Sequence, residues 1–138
     1  MSAREITKGI TLWPTDRPDY PLAAVLSYRM SDPYAVRLSF VQGRRETVVY
    51  GFARMLLAAG LLDRAGEGDV TVAPHEEVDD YLVLTVTPEH GYPFPLYVQR
   101  EAVQDFLDRS FGLVPLGREH EHLDVDAAIT ALLREVSS

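Results

Sequence analysis

The sequence contains no cysteine, which excludes disulfide frameworks, thiol nucleophiles, zinc ribbons and iron–sulfur clusters and suits a reducing compartment. It also lacks a long apolar run. The most hydrophobic stretch, Met55 to Leu62, is far shorter than the roughly 18 apolar residues that mark a membrane-spanning helix. The opening Met1-Ser2-Ala3-Arg4-Glu5-Ile6 interrupts apolar character before a signal peptide could form. These features predict a soluble, cytoplasmic chain. Positive charge is scarce: 13 Lys and Arg against 21 Asp and Glu leave a formal net charge of −8. Such a field repels phosphate backbones and anionic headgroups, so nucleic acid is not an expected partner. Arg44 and Arg45, the only adjacent basic pair, read as a solvated turn.

Catalytic patterns are missing too. Ser27, Ser31, Ser39 and Ser110 lack the Gly-x-Ser-x-Gly setting of a strained nucleophile. Gly66-Glu67-Gly68 has no Lys-Ser/Thr pair to follow it, and Glu67 and Asp69 would repel a phosphate. The densest group of metal-ligand types is Glu119-His120-Glu121-His122-Leu123-Asp124-Val125-Asp126. Alternating spacing in an extended segment would put His120 and His122 on one side, and catalytic zinc needs about three protein ligands, but no His-x-x-x-His pair with its glutamate is present and His75 and His90 have no spacing that links them to the cluster. The segment reads instead as a charged linker capping a last helix. No cofactor, no metal and no catalytic residue are expected.

The 138 residues, 46% of them hydrophobic, are enough for one self-sufficient core, and we read 1–138 as a single domain. Alternating apolar residues predict strands over Leu22 to Met30, Tyr34 to Phe40, Glu46 to Tyr50, Val70 to Ala73 and Tyr81 to Thr87, with another starting at Phe94. In the second of these, Tyr34, Val36, Leu38 and Phe40 share one face. Tyr81 to Thr87 carries bulk on both faces and is expected to be covered on both. After Gly51 the period becomes helical, with Phe52, Met55, Leu56 and Ala59 on one face and Gly60 placed for a left-handed stop. A second helix is predicted from Arg100 to Phe111, ended by Gly112. A third carries the stripe Ile129, Leu132, Leu133 and Val136 behind Asp124 or Asp126 as cap. The expected fold class is α+β, mainly β, with an antiparallel sheet or barrel-like core of six to eight strands and about three helices.

Four blocks in order carry a family resemblance: Asp32-Pro33-Tyr34-Ala35-Val36; Phe52-Ala53-Arg54 with Leu56-Leu57 and Gly60-Leu61; Gly66-Glu67-Gly68-Asp69-Val70 with Val72 and Pro74; and a tail with Pro115, Gly117, Glu119, His120 and His122 running into Leu123-Asp124-Val125-Asp126. This pattern resembles the SsgA-like sporulation and cell-division proteins of actinomycetes, from about residue 20 nearly to the C-terminus. It departs from them at Tyr50, where members often carry tryptophan. The resemblance implies a Whirly-like fold, a homotrimer, and a non-enzymatic role at the septum in which FtsZ is recruited with the help of SsgA. A Whirly-like fold carries an alternative, single-stranded nucleic-acid binding, which the anionic charge disfavours. The motif residues Asp32, Pro33, Tyr34, Phe52, Arg54, Gly60, Gly68 and Asp69 then take structural or interaction roles. Pro33 restricts Asp32 to extended backbone, with the aspartate side chain free to bond nearby backbone and set the register of the next strand. Arg54 is expected near a helix edge, paired with a carboxylate of its own chain in preference to a partner.

Overall fold

The computed structural model describes residues 4–66, 68–123 and 133. The strands are β1 (Glu5–Pro14), β2 (Leu22–Arg29), β3 (Asp32–Gln42), β4 (Arg45–Ala53), β5 (Val70–Pro74), β6 (Tyr81–Val86) and β7 (Phe94–Gln99). Helix α1 (Arg54–Ala59) follows β4, helix α2 (Arg100–Leu113) follows β7, and a 3₁₀ turn spans Glu119–His122. The strands form one antiparallel sheet in the order β4-β3-β2-β1-β7-β6-β5. The predicted class is therefore the observed one: mainly β, seven strands, with two α-helices among the described residues. The stripe proposed for a third helix lies outside the described residues apart from Leu133.

Strand β1 decides the shape. It pairs with β2 from Glu5 to Leu12 and then passes to β7 through Trp13 and Pro14. One long strand thus serves two halves of a curled sheet, and their inner faces supply a common core. Ile6, Ile10 and Leu12 of β1 meet Leu26 and Tyr28 of β2, Val36 and Leu38 of β3, and Leu82, Leu84, Leu96 and Val98 from the other half. The strands expected from sequence begin only at Leu22, and β1 escapes them for a physical reason. Lys8 occupies an inward position between Ile6 and Ile10, and Gly9 adds no side chain, so the alternation is broken where it should be clearest. Lys8 reaches the rim of the core and its Nζ donates to Asp105 of α2 at 2.9 Å. That bond, foremost, holds the Asp105 carboxyl below the usual carboxylate range.

Helix α2 closes the inner face with Val103, Phe106, Leu107 and Ser110, a 3–4 spacing that keeps one side turned to the sheet. It runs past Gly112 to Leu113, so that glycine is not the stop; Val114, fully buried, ends the helix in extended backbone. Strand β6 departs from expectation as well. Leu82, Leu84 and Val86 are buried, whereas Tyr81, Val83 and Thr85 are only half-buried on the outer face. Burying an apolar side chain the size of leucine is worth about 1.5–3 kcal/mol, so the inner face alone supplies most of the strand's anchoring.

Helix α1 corrects the predicted helical face. Phe52 belongs to β4, where it pairs with Val36, and Met55 is 48% exposed. The buried side is Arg54 and Leu57, one turn apart. A periodicity count that scores arginine as polar rotates the helix away from its actual orientation.

Candidate functional site

Most of the motif residues work on backbone geometry. Asp32 faces Arg29 across the two-residue turn between β2 and β3, and its side chain is exposed with no hydrogen bond among the described residues. The motif contact there is made by its neighbour: the buried Tyr28 hydroxyl donates to the Pro33 carbonyl at 2.9 Å. The pairing register shifts at this point, which turns Tyr34 outward to 49% exposure instead of onto the face of Val36 and Leu38. Gly68 needs its residue type for conformation, with φ +85° and open space around it. Asp69 follows, its carbonyl accepting the Thr87 N–H at 2.8 Å and tying the turn to the end of β6. Gly60 is different: its φ is −64°, in the right-handed region, so the left-handed stop is corrected. Here a Cβ would lie 2.5 Å from Cγ1 and 2.6 Å from Cβ of Val72. Gly60 is a close approach of helix end to strand.

Arg54 is the centre of the motif. The side chain is 1% exposed, not at a helix edge. Its Nη1 donates to the carbonyls of Ser110 (3.1 Å) and Val114 (2.8 Å), and its Nη2 donates to Glu119 Oε1 at 2.9 Å. The guanidinium lies over the rings of Tyr28 at 4.7 Å and Phe111 at 4.3 Å. These partners come from β2, from the C-terminal end of α2 and from the 3₁₀ turn. Carbonyls at a helix C-terminus carry partial negative charge, which suits a cation there; the Ser110 carbonyl accepts the Val114 N–H at 2.9 Å as well. The planar guanidinium supplies in-plane donors and stacking faces together, which a lysine ammonium cannot do.

Glu119 completes the pair. Backbone N–H bonds hold its carboxyl below the usual glutamate range, first its own and then that of Gly117, with Arg54 adding to them against the opposing effect of burial. The Gly117 N–H reaches Oε1 and Oε2 at 3.2 and 3.1 Å. Burial raises the Tyr28 phenol, with Arg54 opposing. A carboxyl whose folded pKa is depressed stabilises the fold above its unfolded value, about 4.3, and that contribution disappears as pH falls through the folded value. The melting-temperature gap between the natural chain and Glu119→Gln should therefore be widest above about pH 4.5 and shrink on further acidification; a gap unchanged down to pH 2 would contradict this.

The histidine cluster is rearranged relative to the extended reading. Glu119–His122 is a 3₁₀ turn, so His120 and His122 are not alternate residues of a strand, and Glu119 turns inward to Arg54. Among the described residues no group of three or more His, Cys, Asp or Glu side chains is placed to hold a metal ion. Tyr28, Ser110 and Phe111, which complete the arginine site, were not singled out from sequence. The available signal was Arg54 three residues before Leu57, an arginine in phase with a core position.

A curled antiparallel sheet, fastened by one buried arginine to the ends of its helices, is the class of domain these residues build. Residues 22–119 match the family model described as Streptomyces sporulation and cell division protein, SsgA. The chain is 36% identical over 121 residues to sporulation-specific cell division protein SsgB of Thermobifida fusca, covering 88% of each chain. It is 38% identical over 115 residues to the SsgB of Streptomyces coelicolor, covering 83% of this chain and 84% of that one. The crystal structure of an SsgA-like sporulation-specific cell division protein from Thermobifida fusca superposes with a TM-score of 0.76 at 35% identity, over 95% of this chain and 98% of the other. The chain belongs to the SsgA family of sporulation and cell division proteins.

Proposed function

We propose that this chain is a non-enzymatic regulator that helps position sporulation septa by recruiting FtsZ and promoting its assembly, acting in the cytoplasm at the septum as a homotrimer together with SsgA. Family membership supports the setting. The observation that carries the non-catalytic part is the fate of Arg54, the most chemically versatile motif side chain, whose Nη1 and Nη2 donors and contacts over the Tyr28 and Phe111 rings are engaged in holding the fold. Among the described residues no helix is long and apolar enough to cross a membrane, so attachment to the septum is assigned to partners.

The β4 edge supports self-association. It ends the sheet and exposes Val48 (47%) and Val49 (43%), and an edge strand with apolar side chains and free backbone groups invites pairing with another chain. A trimer presents three copies of a modest binding surface to a filament of repeated subunits, which multiplies affinity through effective concentration. Val49→Lys is expected to lower the mass in sedimentation equilibrium from three chains to one, with stability changed by less than about 0.5 kcal/mol. Unchanged mass would remove β4 from the assembly. The functional test is FtsZ sedimentation: the purified protein should increase pelleted FtsZ under polymerising conditions relative to a charge-matched control, and no increase would contradict the proposal.

A further inference from the structure

A cleft on the outer face of the sheet, away from the arginine site, has a volume of about 340 Å³ and is lined by Trp13, Pro18, His75, Val78, Tyr81 and Tyr97. Its floor follows from register. Trp13 lies opposite Tyr97 where β1 meets β7, and Tyr97 lies opposite Val83 of β6. Trp13 and Tyr81 meet edge to face at 6.1 Å, and His75 tilts against Tyr97 at 5.3 Å. The walls are fixed before any ligand arrives. His75 Nδ1 accepts the N–H groups of Glu77 and Val78, both at 3.0 Å. Arg100 donates to the Asp79 carbonyl at 2.7 Å. Across the cleft, Thr15 N–H bonds the Pro95 carbonyl at 3.1 Å and Arg17 N–H bonds the Pro14 carbonyl at 3.1 Å.

From this cleft we infer a docking site for an extended, proline-rich peptide segment carrying arginine or lysine. Three features of the cleft select that chemistry. Aromatic side chains set edge to face and tilted around an apolar cleft offer ring surfaces to the ridged, preformed polyproline II helix, which loses little entropy on binding. The donors on these walls, Trp13 Nε1 and the Tyr81 and Tyr97 hydroxyls, have no hydrogen-bond partner in the chain among the described residues. A proline-rich backbone offers acceptors without competing N–H groups. Finally, exposed carboxylates adjoin the lining residues in the chain: Asp16 and Asp19 near Pro18, with one arginine, Arg17, between them, and Glu76, Glu77, Asp79 and Asp80 around Val78. None of them is in an ion pair among the described residues. An aromatic slot between anionic rims is complementary to a cationic segment and repels an acidic one. The site stands on the cleft alone and does not require FtsZ to be the partner.

Trp13 is the only tryptophan of the chain, so its emission reports occupancy directly. The full-length protein is titrated at low salt with a synthetic peptide carrying Pro-x-x-Pro and two flanking arginines. Parallel titrations use the same peptide with alanine for proline and with glutamate for arginine. A saturable change in Trp13 emission is expected, with affinity about tenfold lower for the alanine peptide, which has lost its preorganisation. It should be lower again for the glutamate peptide, and it should fall as salt rises. Glu76→Lys/Glu77→Lys, two surface substitutions, should abolish the preference for arginine over glutamate without moving the melting temperature. No change with the arginine peptide, or equal response to the alanine peptide, would overturn the inference. So would Trp13 emission that depends on protein concentration without peptide, because the occupant would then be a second copy of this chain.

Discussion

Arg54→Ala is expected to destabilise the protein by about 3–5 kcal/mol, the range for removing one partner of a buried charge pair. At this chain length that lowers the melting temperature by on the order of 10 °C or more. The substitution leaves Glu119 without its cation and removes side-chain donors from the Ser110 and Val114 carbonyls. It also removes the cation from over the Tyr28 and Phe111 rings. Arg54→Lys should recover only part of the loss, since one ammonium cannot reach two carbonyls and a carboxylate and has no planar face to lay against the rings. Coupling between Arg54→Ala and Glu119→Gln, read from thermal melts of both single variants and the double, should be strong, because the second change removes the charge that the first left unpaired. Simple additivity would mean the pair does not act as a unit.

Gly60→Ala should cost about 1–3 kcal/mol, the range for overpacking a close-packed site. The backbone at Gly60 has an ordinary helical φ of −64°, so alanine meets no conformational penalty and the effect is steric alone. Its new methyl would lie 2.5 Å from Val72 Cγ1 and 2.6 Å from Val72 Cβ. Rotating the valine cannot clear its own Cβ, and a β-branched side chain has few rotamers to offer. Val72→Ala removes the nearer methyl but leaves the Cβ, so in the Gly60→Ala background it should be less damaging than in the natural chain, by on the order of 1 kcal/mol. Equal damage in both backgrounds, measured by chemical denaturation, would place the strain elsewhere.

The contrast between these two sites and the rest of the fold shows what a sequence carries. Strands β2, β3, β5, β6 and β7 were legible because period-two alternation records burial directly. Strand β1 was not, because Lys8 serves a salt bridge at an inward position, and a single charged residue there erases the pattern. Helix α1 was placed but turned wrongly, since its buried face contains an arginine whose compensating partners lie up to 65 residues away in sequence. The resemblance gathered Arg54, Gly60 and Glu119 into one motif but could not join them in space. Arg54–Glu119 is a long-range pair, and the close approach of Gly60 to Val72 leaves no local signal beyond a glycine near a helix end. The aromatic cleft was hidden for a related reason. Trp13 lies on the unread strand, and only the register sets Tyr97 beside it.

The central claim is that the motif arginine maintains the architecture while binding is the work of exposed surfaces. It is tested most directly by measuring FtsZ sedimentation and thermal unfolding together on Arg54→Ala. The expected result is a markedly lower melting temperature and, at a temperature where the variant is still folded, FtsZ pelleting per folded molecule equal to that of the natural chain. Loss of FtsZ pelleting with melting temperature and sedimentation mass unchanged would contradict it, because Arg54 would then be a contact for the partner and not a fastener of the fold.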